Sequence, residues 1–143
     1  MISLKKTALP IVFFLAAFSS KAQLLMKKTD VIEEYGDDYK TGTTDDGINY
    51  IFYEKELETA ASGKFIQERV IYLLELDNGK KICSMWEIFQ PSSETNSVVK
   101  HLKNQGLVEI GSMQWKDYET NTLYDVKVDE GLCIVTATYD EDK

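Results

Sequence analysis

The stretch "FIQERVIYLLELDNGKKICSMWEIF", residues 65 to 89, decides the fold of this 143-residue chain. Two runs rich in β-branched and aromatic residues flank Asp77, Asn78 and Gly79. An Asn-Gly pair between two such runs is a strong short-range signal for a β-hairpin. We therefore predict two long antiparallel strands, at 65–76 and 80–89.

Other strands are predicted on both sides of this hairpin, from the same enrichment and from period-two alternation. A loop of small residues at 58–64 separates the hairpin from the strand before it. The further predicted strands are 48–54 (INYIFYE), 107–115 (LVEIGSMQW), 122–128 (TLYDVKV) and 132–139 (LCIVTATY).

Two helices are predicted from apolar spacings of three and four. The first covers 24–35, with Thr29 as a restarting N-cap and Gly36 after the last turn. The second follows Pro91, takes Ser92 or Ser93 as its N-cap, and ends near Gly106.

The order of these elements repeats along the chain. Residues 72–79 (YLLELDNG) and 124–131 (YDVKVDEG) share a tyrosine, alternating apolar positions, an aspartate and a glycine. Each half then has the order α-β-β-β. We predict a two-layer α+β domain, with an antiparallel sheet of about six strands and two helices on one face.

The first 22 residues have the three parts of a secretory signal peptide. A basic start (MISLKK), a short apolar run (TALPIVFFLAAF) and small residues at Ser20 and Ala22 predict cleavage after Ala22. The apolar run is too short to span a bilayer about 30 Å thick. We expect a secreted or periplasmic chain, a single domain at 23–143, and no membrane span after cleavage.

Charge limits the partners of the mature chain. The signal segment carries Lys5, Lys6 and Lys21 and no acid, so its removal lowers the formal net charge from −8 to −11. Such a chain is repelled by phosphate backbones and by anionic lipid surfaces. We therefore expect no nucleic-acid partner.

Cys83 and Cys133 allow two interpretations. An oxidising compartment permits a disulfide between them. Both residues also lie in apolar strand patterns, "KICSMW" and "GLCIVTA", where a buried free thiol fits equally well. Sequence alone does not show whether the two Cα atoms approach to bonding distance.

Residues 28–53 carry a family resemblance. A helix containing "KTDVIEEYG", a polar link and the aromatic strand "YIFYE" resemble the opening of small secreted domains related to the β-lactamase inhibitor protein and to the small lipoprotein of the outer-membrane assembly machine. The chain departs from that pattern, since no proline follows Gly36 and no lipid-attachment cysteine is present. The resemblance implies a non-catalytic module that binds another protein. More loosely, the chain resembles uncharacterised secreted proteins of Bacteroidetes-type bacteria.

The sequence offers little for catalysis or for a cofactor. His101 is the only histidine, it is expected to be a solvated helix residue, and one histidine with two distant cysteines does not make a zinc site. The acidic link places Asp37, Asp38, Asp45 and Asp46 near one another, but it lacks the alternating donors of a known calcium loop. We predict a solvated corner, no metal and no cofactor.

Aromatic residues supply the stronger candidate surface. Alternation predicts that Tyr50 and Phe52 share one sheet face with Trp86 and Ile88. The other face then carries Ile51, Tyr53, Met85 and Phe89. The sequence does not decide which of the two faces forms the core. The predicted binding residues are Tyr50, Phe52, Trp86, Trp115, Tyr118, Asp45 and Asp46. The preferred hypothesis is a binding module that uses an open sheet face and the acidic loop to engage a protein or a basic ligand. The rival hypothesis is a small secreted hydrolase or cation-dependent enzyme that uses the loop carboxylates.

Overall fold

A computed structural model describes residues 24–141, which form an α+β domain dominated by one antiparallel sheet. The predicted signal segment lies outside these residues. In chain order the elements are α1 (Lys28–Tyr35), β1 (Lys40–Thr43), β2 (Asn49–Thr59), β3 (Gly63–Glu75), β4 (Lys81–Pro91), a 3-10 turn (Ser92–Glu94), α2 (Thr95–Asn104), β5 (Val108–Gly111), β6 (Gln114–Asp117), β7 (Thr122–Asp129) and β8 (Leu132–Tyr139).

The predicted number of strands is wrong, because the described part of the chain has eight strands rather than six. The short edge strand β1 lies inside the polar link, where no apolar alternation marks it. The predicted strand 107–115 is divided by a tight turn before Gln114, at which Met113 has a φ of 59°. The single strand expected there is therefore the hairpin of β5 and β6.

The strands lie in the order β1-β2-β3-β4-β8-β7-β6-β5. Each half of the domain is thus a helix followed by a four-strand meander, and the two halves join where β4 pairs with β8. The similar stretches 72–79 and 124–131 occupy corresponding places, at the β3–β4 and β7–β8 turns.

Helices of eight and ten residues are too short to form a continuous second layer. At 1.5 Å per residue they extend about 12–15 Å. Eight strands about 4.8 Å apart span about 34 Å. The prediction of two layers is therefore inexact.

One face of the sheet carries the core. A row of cross-strand partners crosses six strands on this face, from β2 to β6, and packs in one cluster with Val31 of α1 and with Val98 and Leu102 of α2. The buried members of the row are Ile51, Ile71, Trp86, Ala137, Tyr124 and Trp115. Both helices therefore cover the same face, which we call the helix face, and the opposite side is the open face.

A β-bulge in β4 explains why the predicted face assignment is wrong. Leu73 pairs with Cys83 but Tyr72 pairs with Met85, so Ser84 is an extra residue in β4. One inserted residue moves every following side chain to the opposite face. Trp86 and Ile88 consequently join Ile51 and Tyr53 on the helix face. Tyr50 and Phe52 share the open face with Met85 and Phe89.

The helix termini differ from the predicted caps. α1 begins at Lys28 without a side-chain cap, so Thr29 is not its N-cap, whereas Gly36 at φ 99° donates its N–H to Ile32 O and ends the helix as expected. α2 begins only at Thr95, after the 3-10 turn, and its first residue donates a 2.7 Å side-chain hydrogen bond to Ser92 O. The buried carboxylate of Glu94 accepts hydrogen bonds from Thr59 and Ser62, and this ties the β2–β3 turn to the start of α2.

Candidate functional site: the open face

An aromatic cluster lies on the open face of β2 and β3. The Tyr50 ring lies 5.9 Å from the Tyr72 ring, edge to face, and 6.3 Å from the Phe52 ring. All three side chains are partly exposed. The register sets Tyr50 opposite Tyr72 and Phe52 opposite Val70, so the rings and the valine form one continuous surface. We call Tyr50, Phe52, Val70 and Tyr72 the aromatic patch.

Gly42 of β1 makes room for this cluster. It is the cross-strand partner of Tyr50, and a Cβ built at position 42 would overlap the hydroxyl and the adjoining ring carbon of Tyr50. The tyrosine ring therefore lies over bare backbone at the sheet edge. Packing of an aromatic ring over a glycine in the neighbouring strand is a known way to stabilise a sheet edge.

Glu87 fixes the other side of the cluster. Its carboxylate accepts a 2.7 Å hydrogen bond from the Tyr72 hydroxyl and a 3.2 Å hydrogen bond from the Thr136 hydroxyl. Burial and then the Glu87 carboxylate raise the pKa of Tyr72 above the ordinary value for tyrosine. Tyr72 thus stays a neutral donor, and strands β3, β4 and β8 are linked by side chains across the open face.

The aromatic patch forms the floor of an open groove of about 510 Å³. Asp45 and Glu68 line this groove together with Thr43 and Thr44. The structure therefore brings three of the predicted binding residues together: Tyr50, Phe52 and Asp45.

The acidic corner between β1 and β2 is an ordered turn. Thr44 donates its hydroxyl to Asp46 at 2.5 Å and accepts the backbone N–H of Ile48 at 2.9 Å. Asp45, which lines the open groove, and Asp46, which lies beside it, are both exposed. Within residues 24–141, no group of three or more His, Cys, Asp or Glu side chains is placed to hold a metal ion.

Four predicted binding residues do not line the groove: Asp46, which lies in the turn beside it, Trp86, Trp115 and Tyr118. Trp86 and Trp115 are 2% and 1% exposed, because the bulge in β4 and the shared row of partners place both in the core under the helices. Tyr118 is 60% exposed but follows β6. Four strands separate β2 from β6, a distance of about 24 Å.

The two cysteines are buried free thiols, so the disulfide interpretation is wrong. Cys133 lies opposite Gln90, whereas Cys83 lies seven residues earlier in β4. At about 3.4 Å per residue the two positions are about 24 Å apart along the strand, far beyond the roughly 7 Å between Cα atoms that a disulfide allows. Burial raises the pKa of the Cys83 thiol to about 12.

His101 is also placed differently from the prediction. It lies on the inner side of α2, beside Leu102, and is buried rather than solvated. Burial lowers its pKa below the ordinary histidine value. The prediction of a solvated residue is therefore wrong, because His101 lies with Val98 and Leu102 on the side of α2 that is buried.

A smaller cleft of about 220 Å³ opens on the helix face beside the end of α1. Its floor contains two buried polar side chains, Gln67 and Arg69, and the Arg69 guanidinium lies 4.3 Å from the centre of the Tyr35 ring. Gln67 donates a 2.9 Å hydrogen bond to Gln90 on the neighbouring strand. This polar interruption of the helix face was not predicted.

Sequence reasoning missed four contributors to the open-face site: Tyr72, Glu68, Glu87 and Gly42. The loop predicted at 58–64 has its centre at residue 61, which sets residue 50 opposite residue 72 in an antiparallel hairpin. The pairing of Tyr50 with Tyr72 could therefore be predicted from the position of the loop. The role of Glu87 could not be predicted, because it depends on the pairing of β4 with β8, which lies at the far end of the chain.

No family model, curated protein or solved structure matches this chain. Within residues 24–141, no helix combines the length and the apolar character needed to cross a bilayer. We infer the function from the contacts, burial and charges of the open face.

Proposed function

We propose that this chain is a secreted or periplasmic, non-catalytic module that binds another protein through its open sheet face. The observation that carries this proposal is the aromatic patch, which is partly exposed on the side of the sheet opposite both helices. Tyrosine and other aromatic residues contribute a large share of the binding energy in protein interfaces.

The apolar surface continues beyond the aromatic patch. Ile66 and Leu74 lie on the same face of β3 and are each 52% exposed. Met85 and Phe89 add partly exposed apolar side chains on β4. Exposed apolar surface that is contiguous and edged by polar residues is typical of an interaction site.

The site is held in place before a partner arrives. Gly42 provides the space for Tyr50, and Glu87 holds the hydroxyl of Tyr72. Side chains that are already ordered lose less conformational entropy on binding, which favours affinity. The exposed carboxylates of Asp45 and Asp46 attract a basic partner during encounter.

The resemblance of residues 28–53 to inhibitor-like and envelope-associated domains leads to the same class of function. In this proposal the partner is an envelope or secreted protein, and the chain acts by covering part of that protein's surface. No catalytic residue and no cofactor are assigned.

Affinity capture from the cell-envelope fraction tests this proposal. The bait is the mature chain, compared with Val70→Arg, which places a long charged side chain in the middle of the aromatic patch. Tyr118→Arg is the matched control, since it also introduces an arginine, at an exposed site about 19 Å from Val70 across the sheet. We expect one protein to be retained by the wild type and the control and lost with Val70→Arg. Equal retention by all three baits would contradict binding through the open face.

A further inference from the structure

The groove over the aromatic patch combines ring surfaces with negative charge. Its lining residues include three aromatic side chains, Tyr50, Phe52 and Tyr72, and two carboxylates, Asp45 and Glu68, whereas none of the lining residues is basic. Rings with nearby carboxylates suit a cationic guest, because the face of an aromatic ring is electron-rich and a carboxylate adds direct attraction.

The register orders these groups along the groove. The turn with Asp45 comes first, followed by the pair Tyr50–Tyr72, the pair Phe52–Val70 and the pair Glu54–Glu68. A carboxylate therefore lies beyond each end of the aromatic patch. A cationic side chain lying along the rings meets a carboxylate at either end.

The protein already places one of its own cations on this surface. Lys40 lies opposite Phe52 in the β1–β2 ladder, and its Nζ is 5.7 Å from the centre of the Phe52 ring. The same Nζ makes a 3.0 Å ion pair with Glu54. An ammonium group held by a ring and a carboxylate together is the arrangement that the groove offers to a guest.

Charge disfavours the opposite kind of ligand. The whole chain has a formal net charge of −8, and Glu87 adds another carboxylate beside the aromatic patch. An anionic side chain in the groove would be repelled by Asp45 and Glu68 with little compensation, since the ammonium of Lys40 is already paired with Glu54.

We propose that the groove is a cation subsite, which takes one lysine or arginine side chain of the partner protein between the rings of Tyr50, Phe52 and Tyr72, with Asp45 and Glu68 as counter-charges. This inference rests on the proposed function, since it names the chemistry of the partner that the open face binds. The remaining apolar surface on β3 and β4 contacts the segment that carries the cation.

Peptide binding tests the subsite separately from the partner. The probe is a capped seven-residue peptide that alternates glycine and arginine, and its matched control carries citrulline, which is neutral and nearly the same shape, at each arginine position. Binding to the intact mature chain is measured by titration calorimetry at an ionic strength of about 0.15 M, where the screening length is about 8 Å and distant surface charges contribute little. We expect the arginine peptide to bind, and the citrulline peptide to bind at least about tenfold more weakly. The neutral side chain of citrulline loses both the attraction to the aromatic rings and the attraction to the carboxylates.

Protein variants then separate the rings from the charges. Phe52→Leu removes a ring without changing the charge, and we expect the dissociation constant of the arginine peptide to rise about fivefold. Asp45→Asn and Glu68→Gln remove the counter-charges and leave the rings, and each is expected to weaken binding about twofold to fivefold. Tyr118→Leu and Asp125→Asn make the same kinds of change elsewhere and are expected to leave the dissociation constant unchanged.

Three results would overturn the subsite. Equal binding of the two peptides would show that the guest need not be cationic. Full binding by Phe52→Leu, with losses only in the charge variants, would show general attraction rather than a ring-lined site. In a third result, Val70→Arg abolishes capture of the partner, but the arginine peptide does not compete with the partner for binding. This result would refute the cation subsite alone and leave the proposed binding through the open face intact.

Discussion

Gly42 and Tyr50 face each other across the β1–β2 ladder, and the hydroxyl end of the tyrosine ring occupies the space in which a Cβ at position 42 would lie. The glycine is therefore required by the neighbouring ring, since its own φ is not in the left-handed region. Gly42 and Tyr50 thus form a packed pair at the edge of the sheet.

The first prediction follows from this pair. Gly42→Ala forces the Tyr50 ring to rotate out of its place beside Tyr72, and we expect the free energy of unfolding to fall by about 1–3 kcal/mol, as overpacking typically costs. Urea titration measures the change. In the double variant with Tyr50→Ala, the alanine at 42 should cost almost nothing more, because the ring it displaces is gone. A fully additive double variant would show that the two side chains do not compete for space.

The second prediction concerns Glu94. Glu94→Ala removes the acceptor of the Thr59 and Ser62 hydroxyl groups in a buried setting, and should lower the free energy of unfolding by about 1–3 kcal/mol. Glu58→Ala, an exposed carboxylate in the same hairpin, is the control and should change it by less than about 0.5 kcal/mol. Equal losses in the two variants would indicate that the Glu94 hydrogen bonds do not hold the β2–β3 turn to α2.

The third prediction concerns pH. Burial lowers the pKa of His101 in the folded protein, so the unfolded chain binds more protons than the folded one below about pH 6.5. The free energy of unfolding therefore carries no penalty from His101 above that pH. It decreases as the pH falls toward the lowered pKa of His101 in the folded protein. Unfolding free energies measured at pH 7.5 and 5.5 should fall more for the wild type than for His101→Gln, which cannot titrate. The same fall in both proteins would assign the pH dependence to other groups.

The fourth prediction concerns the thiols. Only a thiolate reacts rapidly with disulfide reagents, and burial raises the pKa of Cys83 to about 12 and also raises the pKa of Cys133. The native protein should therefore react with neither thiol within minutes at pH 8, and the denatured, unreduced protein should titrate two thiols. A count of zero thiols after denaturation would indicate the disulfide that the strand register forbids.

The hairpin at 65–89 shows how far the sequence predicts this fold. Asn78 and Gly79 mark the turn, and the flanking apolar runs became β3 and β4 within a few residues of the predicted ends. The extra residue Ser84 could not be predicted, because the bulge shows only in the pairing of β4 with β3. That one residue moves Trp86 and Ile88 to the face opposite Tyr50 and Phe52, so the grouping predicted from alternation is wrong.

The sequence predicted only those parts of the candidate site that depend on contacts close in the chain. Tyr50, Phe52 and Asp45 depend on contacts close in the chain, within β1, β2 and the turn between them, and they do lie together. Glu87 depends on the pairing of β4 with β8 across the two halves of the domain, and alternation within one strand could not place it. Trp115 is aligned with Trp86 only through the row of partners that runs from β6 over β7 and β8 to β4. Burial in this chain is decided by which face the helices cover, and that is a tertiary property.

Oxidative footprinting of the tyrosines tests the central claim most directly. The captured partner is added to the mature chain, and the oxidation of each tyrosine by hydroxyl radicals is measured by mass spectrometry with and without the partner. We predict that the oxidation rates of Tyr50 and Tyr72 fall severalfold in the complex while that of Tyr118 is unchanged. Protection of Tyr118 with unchanged rates at Tyr50 and Tyr72 would contradict binding through the open face.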